Sequence, residues 1–379
     1  MRLPDHLLKS LQQRQTDQAL RHLPEPLSGI DFSSNDYLGF ARSSDLYDKA
    51  LAWLAERNLK VNGSTGSRLI SGNHSAVVEV EGQLARFHQA DAALIFNSGY
   101  DANLGVFSSL PQRNDIILFD ELCHASIRDG IRLSLAKGYK FRHNDAEHLS
   151  ELLEQYRGNT IYVATESVFS MDGDTPPLRQ IVSLCKEAGA YLIVDEAHAL
   201  GVFGDKGEGI LQSQNLHRDV FARIMTFGKG LGCHGAVVLG SGALREYLTN
   251  FARSFIYTTA LPPHALAAVS VAYRELENPQ HIQQLQHNIA FFNQEKLRLG
   301  LKPIFVYGKS AIQSAILPGN DTVRSVANGL QAGGFDVKAI LSPTVPQGLE
   351  RLRFCLHAYN SEAEITAVLQ RLATFVFQK

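Results

Sequence analysis

The chain has 379 residues, 45% of them hydrophobic and 20% charged, with a formal net charge of −2. That composition supplies a large apolar core, enough for two lobes, and the near-zero charge argues against a nucleic-acid or membrane-surface partner, both of which need a concentrated basic face. The four cysteines, Cys123, Cys185, Cys233 and Cys355, form no Cys-x-x-Cys pair, so zinc and redox motifs are unsupported and reduced thiols are expected.

Taken in chain order, Met1 to Gln18 is polar and carries Asp5 and Asp17, unlike a secretory or transit signal, and no later run approaches the roughly 20 apolar residues of a membrane span. A cytoplasmic protein is expected. From about residue 92 to 240, apolar runs of strand length alternate with helix-like segments. The runs are Ala93–Phe96, Ile116–Phe119, Ile161–Ala164, Tyr191–Val194 and Ala236–Leu239. Continuously apolar strands with intervening helices predict an α/β fold, a mainly parallel sheet covered on both faces. Sites in such sheets lie beyond the carboxyl ends of the strands, where Asn97-Ser98-Gly99, Asp120, Glu166 and Asp195 fall.

After Leu261-Pro262-Pro263 the texture changes to a helical stretch over 264–299, broken near Asn278-Pro279. Short strands follow around Ser314–Leu317 and Arg351–Phe354. The last helix opens on a capping box, Ser361 with Glu364, and carries Ile365, Val368, Leu369, Leu372 and Val376 on one face. The expected organisation is an N-terminal arm (1–40), a large α/β domain (41–263) and a smaller α+β C-terminal domain (264–379).

Lys229, in Thr226-Phe227-Gly228-Lys229-Gly230, closes a later apolar run downstream of Val194-Asp195-Glu196-Ala197-His198. Asp-Glu-Ala-His also spells a helicase nucleotide motif, but that chemistry needs an upstream Gly-x-x-x-x-Gly-Lys-[Ser/Thr] to cradle phosphates. The only Gly-Lys-Ser, Gly308-Lys309-Ser310, is downstream with Pro303 in place of the first glycine. A pyridoxal 5'-phosphate site instead needs a lysine for a Schiff base and an acid for the pyridinium nitrogen, which Lys229 and Asp195 supply. His198 is placed to meet the ring's phenolic oxygen. Ser98-Gly99-Tyr100 opens a helix whose free N–H groups suit a phosphate, with Thr226, Thr258 and Thr259 adding hydroxyls. His124 is read either as an ordinary half-buried histidine or as a flat group stacked on the cofactor. Ser170 is read as a turn serine or a cofactor contact, and Arg353 as a structural cation or a carboxylate binder.

Together these residues resemble the α-oxoamine synthases, fold-type I pyridoxal phosphate enzymes that join an amino acid to an acyl thioester on CoA or acyl carrier protein. The resemblance runs from Asp31-Phe32-Ser33-Ser34-Asn35-Asp36-Tyr37-Leu38-Gly39 to the last helix, and its most specific pieces are Ser34–Gly39, Gly66–His74, Val168–Asp174, Thr226–Lys229 and Pro343–Pro346. It implies Lys229 as the Schiff-base lysine and His124 as the stacking, catalytic histidine. It implies Asp195 as ring-nitrogen partner and His198 as phenolic-oxygen partner. Ser98, Gly99, Tyr100, Ser170 and Thr226 would be cofactor contacts, with Thr258 and Thr259 reaching the phosphate of a neighbouring subunit in a homodimer. Arg353 would bind the amino-acid carboxylate, with Asn35 and Thr344 lining the substrate site. No metal is expected. Leu341 departs from the family's usual arginine, and Ala199-Leu200-Gly201 from its usual Gly-Thr-Gly. A sister condensation with another amino acid and a pyridoxal phosphate aminotransferase are the rival activities.

Overall fold

A computed structural model describes residues 3–17, 19–21, 23 and 29–377. The chain divides into two compact units. The larger holds Asn35–Ser170 and Asp174–Gln286; the smaller holds the described residues up to Ser34, Met171–Gly173 and the chain from His287 onward.

The larger unit is built on a seven-stranded sheet: β1 (Ala92–Phe96), β2 (Ile116–Asp120), β3 (Lys137–Phe141), β4 (Ile161–Glu166), β5 (Tyr191–Asp195), β6 (Ala222–Thr226) and β7 (Ala236–Gly240). Their order is β1-β7-β6-β5-β4-β2-β3. All pairings are parallel except those of β7, which runs antiparallel to both β1 and β6. The carboxyl ends of the other strands therefore share one edge. Alternation along β2 shows why these strands read as continuously apolar. Ile117 and Phe119 join one core cluster, while Ile116 and Leu118 join the cluster on the opposite face. Strand β3 has the sequence Lys-Gly-Tyr-Lys-Phe and carried no strand signal. It lies at the sheet edge with Lys137, Gly138 and Lys140 exposed, and lysine on an edge blunts further pairing.

Two helices matter for the site. Helix α1 (Gly99–Ser109) is capped by Ser98, whose Oγ accepts from the Asp101 N–H at 3.0 Å. Helix α2 (Ala125–Leu133) is capped by His124, whose Nδ1 accepts from the Ser126 N–H at 3.2 Å.

The smaller unit has a three-stranded antiparallel sheet with Arg351–Cys355 between Lys338–Ile340 and Ile312–Ile316. Ile30–Asp31 pairs in parallel with Phe335–Asp336. The last helix, Glu362–Phe377, has the expected capping box. Ser361 N–H donates to Glu364 Oε2 at 2.7 Å, and Glu364 N–H donates to Ser361 Oγ at 3.3 Å. The expected break appears between helices Pro263–Glu275 and Gln280–Arg298. The division of the chain falls at 286/287 rather than at 263/264. The reason is that Pro263–Glu275 packs against the helices Ser44–Glu56 and Ser75–Phe87 of the larger unit, burying Leu266, Val269 and Tyr273. Among the described residues no helix is long and apolar enough to cross a membrane.

Candidate active site

The loop after β6 turns tightly. Cys233 N–H donates to the Phe227 carbonyl at 2.8 Å, and Gly232 N–H to the Lys229 carbonyl at 2.8 Å. Gly230 lets this loop touch the loop after β5, since a Cβ there would collide with the Leu200 carbonyl oxygen. The close approach brings Lys229 Nζ to 2.7 Å from His198 Nε2. His198 follows β5 in a turn rather than a helix, 4% exposed. The fully buried Tyr37 fixes its other side. The Tyr37 hydroxyl donates to Asn35 Oδ1 at 3.0 Å and so accepts from His198 Nδ1 at 2.7 Å. His198 Nε2 is left as the acceptor for the lysine amine.

Asp195, at the end of β5, is buried and accepts two hydrogen bonds from neutral donors, Asn103 Nδ2 at 2.7 Å and the Ala197 N–H at 2.8 Å. Glu166 ends the adjacent strand in register with it. Its carboxyl is pushed up to about 8, first by burial and then by the neighbouring Asp195 charge. Glu166 Oε1 accepts the His124 N–H at 2.6 Å. The His124 ring keeps an exposed face, while Nδ1 meets the buried Ser126 hydroxyl at 2.7 Å. The packing around the ring holds its pKa below the ordinary value, with Asp195 opposing that shift.

The amino end of α1 lies at the same sheet edge. The first N–H groups of a helix have no partner within it, and here they belong to Gly99 and Tyr100. A Cβ at Gly99 would sit 3.3 Å from Thr226 Oγ1, so the backbone there comes close to the end of β6. Thr226 Oγ1 donates to the Gly235 carbonyl at 3.3 Å. Tyr100 is not a core residue; it is 44% exposed and donates to Asp129 Oδ2, which raises its pKa. Asn97 Nδ2 ties in the segment after the helix Arg253–Ile256, donating to Thr258 Oγ1 at 3.0 Å and the Thr259 carbonyl at 2.7 Å.

Ser170 closes the segment after β4, half-buried in a turn, and is the last residue of the larger unit before Met171. Two predicted residues belong to the smaller unit. Arg353 is half-buried on the middle strand, Nη1 at 3.0 Å from Cys355 Sγ, opposite Lys338 and Ser314. Its neighbour on the same face, Arg351, is the buried one and pairs with Asp172. Thr344 is exposed in a turn, with Oγ1 3.5 Å from Arg21 Nη2. Sequence reasoning missed the roles of Asn103, Ser126 and Tyr37 around the site. Asn103 lies mid-helix in an apolar context, where a fully buried amide is visible only once the fold is known. Among the described residues, no group of three or more His, Cys, Asp or Glu is arranged to hold a metal ion.

The family model for class I and II aminotransferases matches residues 28–372. The chain belongs to this family. It is 42% identical over 402 aligned residues to an 8-amino-7-oxononanoate synthase from Emericella nidulans, covering 99% of this chain and 96% of that protein. Among solved structures, the 8-amino-7-oxononanoate synthase of Francisella tularensis matches with a TM-score of 0.78 and 32% identity, over 92% of this chain and 98% of that one. A serine palmitoyltransferase from S. paucimobilis, solved with PLP bound, matches with a TM-score of 0.89 and 26% identity, over 98% and 96%. These are α-oxoamine synthases of fold type I. The chain is accordingly an enzyme of the pyridoxal-phosphate-dependent acyltransferase type, and pyridoxal 5'-phosphate is its cofactor.

The residues present fit that group. A buried carboxylate bonded only to neutral donors is matched to a cationic ring nitrogen. A lysine amine and an imidazole acceptor stand together beyond the strands, and the glycine at the start of α1 leaves room where a Cβ would crowd Thr226.

Proposed function

We propose that this enzyme joins L-alanine to a pimeloyl thioester, on CoA or acyl carrier protein, releasing carbon dioxide and free thiol and giving 8-amino-7-oxononanoate for biotin biosynthesis. The observation that carries the reading is the Lys229 amine held 2.7 Å from His198 Nε2, at the strand edge that ends in Asp195. The names of the relatives, at 36% and 42% identity over nearly the whole chain, favour these substrates.

Pyridoxal phosphate, when bound, supplies the electron sink for charge developing at the amino acid's α-carbon. Lys229 would hold it covalently, and its Nζ, when free, would remove the amino acid's α-proton as general base. Asp195 keeps the ring nitrogen protonated, and His198 is the partner of the phenolic oxygen. His124 would meet the cofactor ring and donate to the substrate's carboxylate or carbonyl. Ser98, Gly99, Tyr100, Ser170 and Thr226 hold the cofactor. Thr258 and Thr259 serve the neighbouring subunit's phosphate in a homodimer. Arg353 binds the amino-acid carboxylate as a bidentate pair. Asn35 and Thr344 are substrate-binding residues. The enzyme is assigned to the cytoplasm.

A second reading, condensation of serine with a long-chain acyl thioester, is favoured by the higher TM-score to serine palmitoyltransferase. The test is thiol release from pimeloyl-CoA, pimeloyl acyl carrier protein and palmitoyl-CoA, with L-alanine, glycine and L-serine compared. Rapid release with L-alanine and a pimeloyl donor is expected; release with serine and palmitoyl-CoA alone would transfer the enzyme to the sister reaction. Lys229→Ala should bind the cofactor non-covalently and lose at least about 10³-fold in turnover. Substantial turnover in that variant would sink the assignment of Lys229.

A further inference from the structure

One buried chain of hydrogen bonds links Asp195 to His124. Asn103 Nδ2 donates to Asp195 Oδ2 at 2.7 Å and to Ser126 Oγ at 3.0 Å, and Ser126 Oγ lies 2.7 Å from His124 Nδ1. Asn103 is 1% exposed and Ser126 fully buried. The donors can be counted. Only the NH2 end of an amide can face a carboxylate, so both Asn103 protons are committed, one to each neighbour. Ser126 Oγ, having accepted from Asn103, turns its own proton to His124 Nδ1. The Ser126 backbone N–H donates to the same nitrogen at 3.2 Å. An imidazole nitrogen that accepts from two donors carries no proton, so the neutral ring carries its proton on Nε2.

The arrangement leaves Asn103 Oδ1 buried without a hydrogen-bond partner. A buried orphan oxygen is a cost that native structures rarely tolerate without reason. Here the reason is that both amide protons serve the site.

We propose that Asn103 and Ser126 are positioning residues that lock His124 as an Nε2–H donor and orient Asp195 through the same chain. The inference rests on reading this site as the cofactor and substrate site. It narrows the chemistry of His124. With Nδ1 occupied by Ser126 and a proton on Nε2, the ring offers substrate a hydrogen-bond donor and no basic lone pair. It therefore steadies an oxygen, a carboxylate or the thioester carbonyl, and leaves proton abstraction to Lys229. Asn103 also makes the partner of the ring nitrogen and the partner of the substrate oxygen parts of one unit.

The test is ¹⁵N NMR of histidine-labelled protein without cofactor, which reads the tautomer independently of turnover. The His124 signals are assigned by their loss in His124→Asn. Nδ1 in the unprotonated range and Nε2 in the protonated range are expected. Nδ1–H in the wild type would overturn the proposal. Ser126→Ala and Asn103→Asp should each shift the His124 signals toward tautomer averaging. Both should lower kcat by about tenfold or more with a smaller change in KM for the amino acid, the scale set by outer partners that fix imidazole tautomers in metal sites. Unchanged His124 signals and unchanged kcat in both variants would also overturn it. Ser126→Ala keeps the test open if the aspartate does not fold. A failure of the cofactor-site reading is distinguishable, because it would show as covalent attachment of the cofactor that persists in Lys229→Ala, whatever the tautomer of His124.

Discussion

Asp195 and Glu196 are chemically alike, adjacent in the chain and both buried, yet they are treated in opposite ways. Glu196 is fully buried and meets a cation: Arg223 Nε lies 2.8 Å from Oε2, with the Leu211 N–H on Oε1 at 3.1 Å. Arg223 spends its other donors on the Glu208 carbonyl at 2.9 Å and Gln212 Oε1 at 3.2 Å. That cluster is closed on itself, and its charges are matched within the protein. The two hydrogen bonds that Asp195 accepts come from an amide and a backbone N–H, neither of them a cation. A buried carboxylate whose charge is answered by a fixed arginine is structural. One held only by neutral donors is prepared for a charge that arrives with a ligand.

The strongest way to break this contrast is to neutralise each residue in turn. Asp195→Asn should keep the fold and lose about 10³-fold or more in turnover, ~4 kcal/mol of transition-state stabilisation. Kinetics and a denaturation curve on the same sample check it, and retained activity would remove Asp195 from the chemistry. Glu196→Gln should do the reverse, leaving Arg223 buried without its counter-charge. A stability loss of about 3 kcal/mol is expected with kcat little changed. A kinetic defect at intact stability would erase the distinction.

His143 sharpens the comparison from the other side. It bridges Asp120, at 2.9 Å, and Asp174, at 2.8 Å, and these carboxylates raise its pKa to about 10. Because the folded value lies above the ordinary 6.5, its stabilisation is fully present below pH 6.5 and is lost as pH rises through 10. His143→Gln should therefore cost about 2 kcal/mol at the acid end of that range and almost nothing at the alkaline end. Denaturant titrations at the two limits decide it; an equal deficit at both would contradict the ion-pair account.

The smallest effect belongs to Glu166, a buried carboxyl whose burial and neighbouring Asp195 outweigh the attraction of Lys229, so that its pKa rises to about 8. A raised carboxyl favours the folded state below its unfolded value near 4.5 and loses that advantage as pH climbs to about 8. Glu166→Gln should flatten the fall in stability over that window by about 1 kcal/mol or more while still accepting the His124 N–H. Identical slopes for wild type and variant would show that Glu166 is ionised throughout.

Much of this was legible in the chain. The apolar runs located five strands, and the residues just past them, Asn97, Glu166 and Asp195, lie at the site edge. The capping box at Ser361 was read correctly because its two hydrogen bonds are local. Strand β3 was not, because an edge strand built of lysine, glycine and tyrosine carries its pairing in the neighbour and not in its own pattern. The division into compact units falls at 286/287 and not at the expected 263/264 for a related reason. Pro262 and Pro263 mark where a helix starts, while the division between units depends on which surface that helix buries.

The sequence alone determined five strands of the large sheet, the cofactor and the family, and it is the source of the proposal that Lys229 and Asp195 carry the cofactor chemistry. Each is written in residue type and short-range order, through periodicity, caps and motif spacing. Only the tertiary structure decided which of two adjacent acids is matched by a cation. It alone showed that Arg351 pairs with Asp172, and that Asn103 and Ser126 stand between Asp195 and His124. Charge matching and hydrogen-bond direction depend on distances between residues far apart in the chain. Those distances are set by the register of strands and the close approach of loops, and local sequence does not encode them.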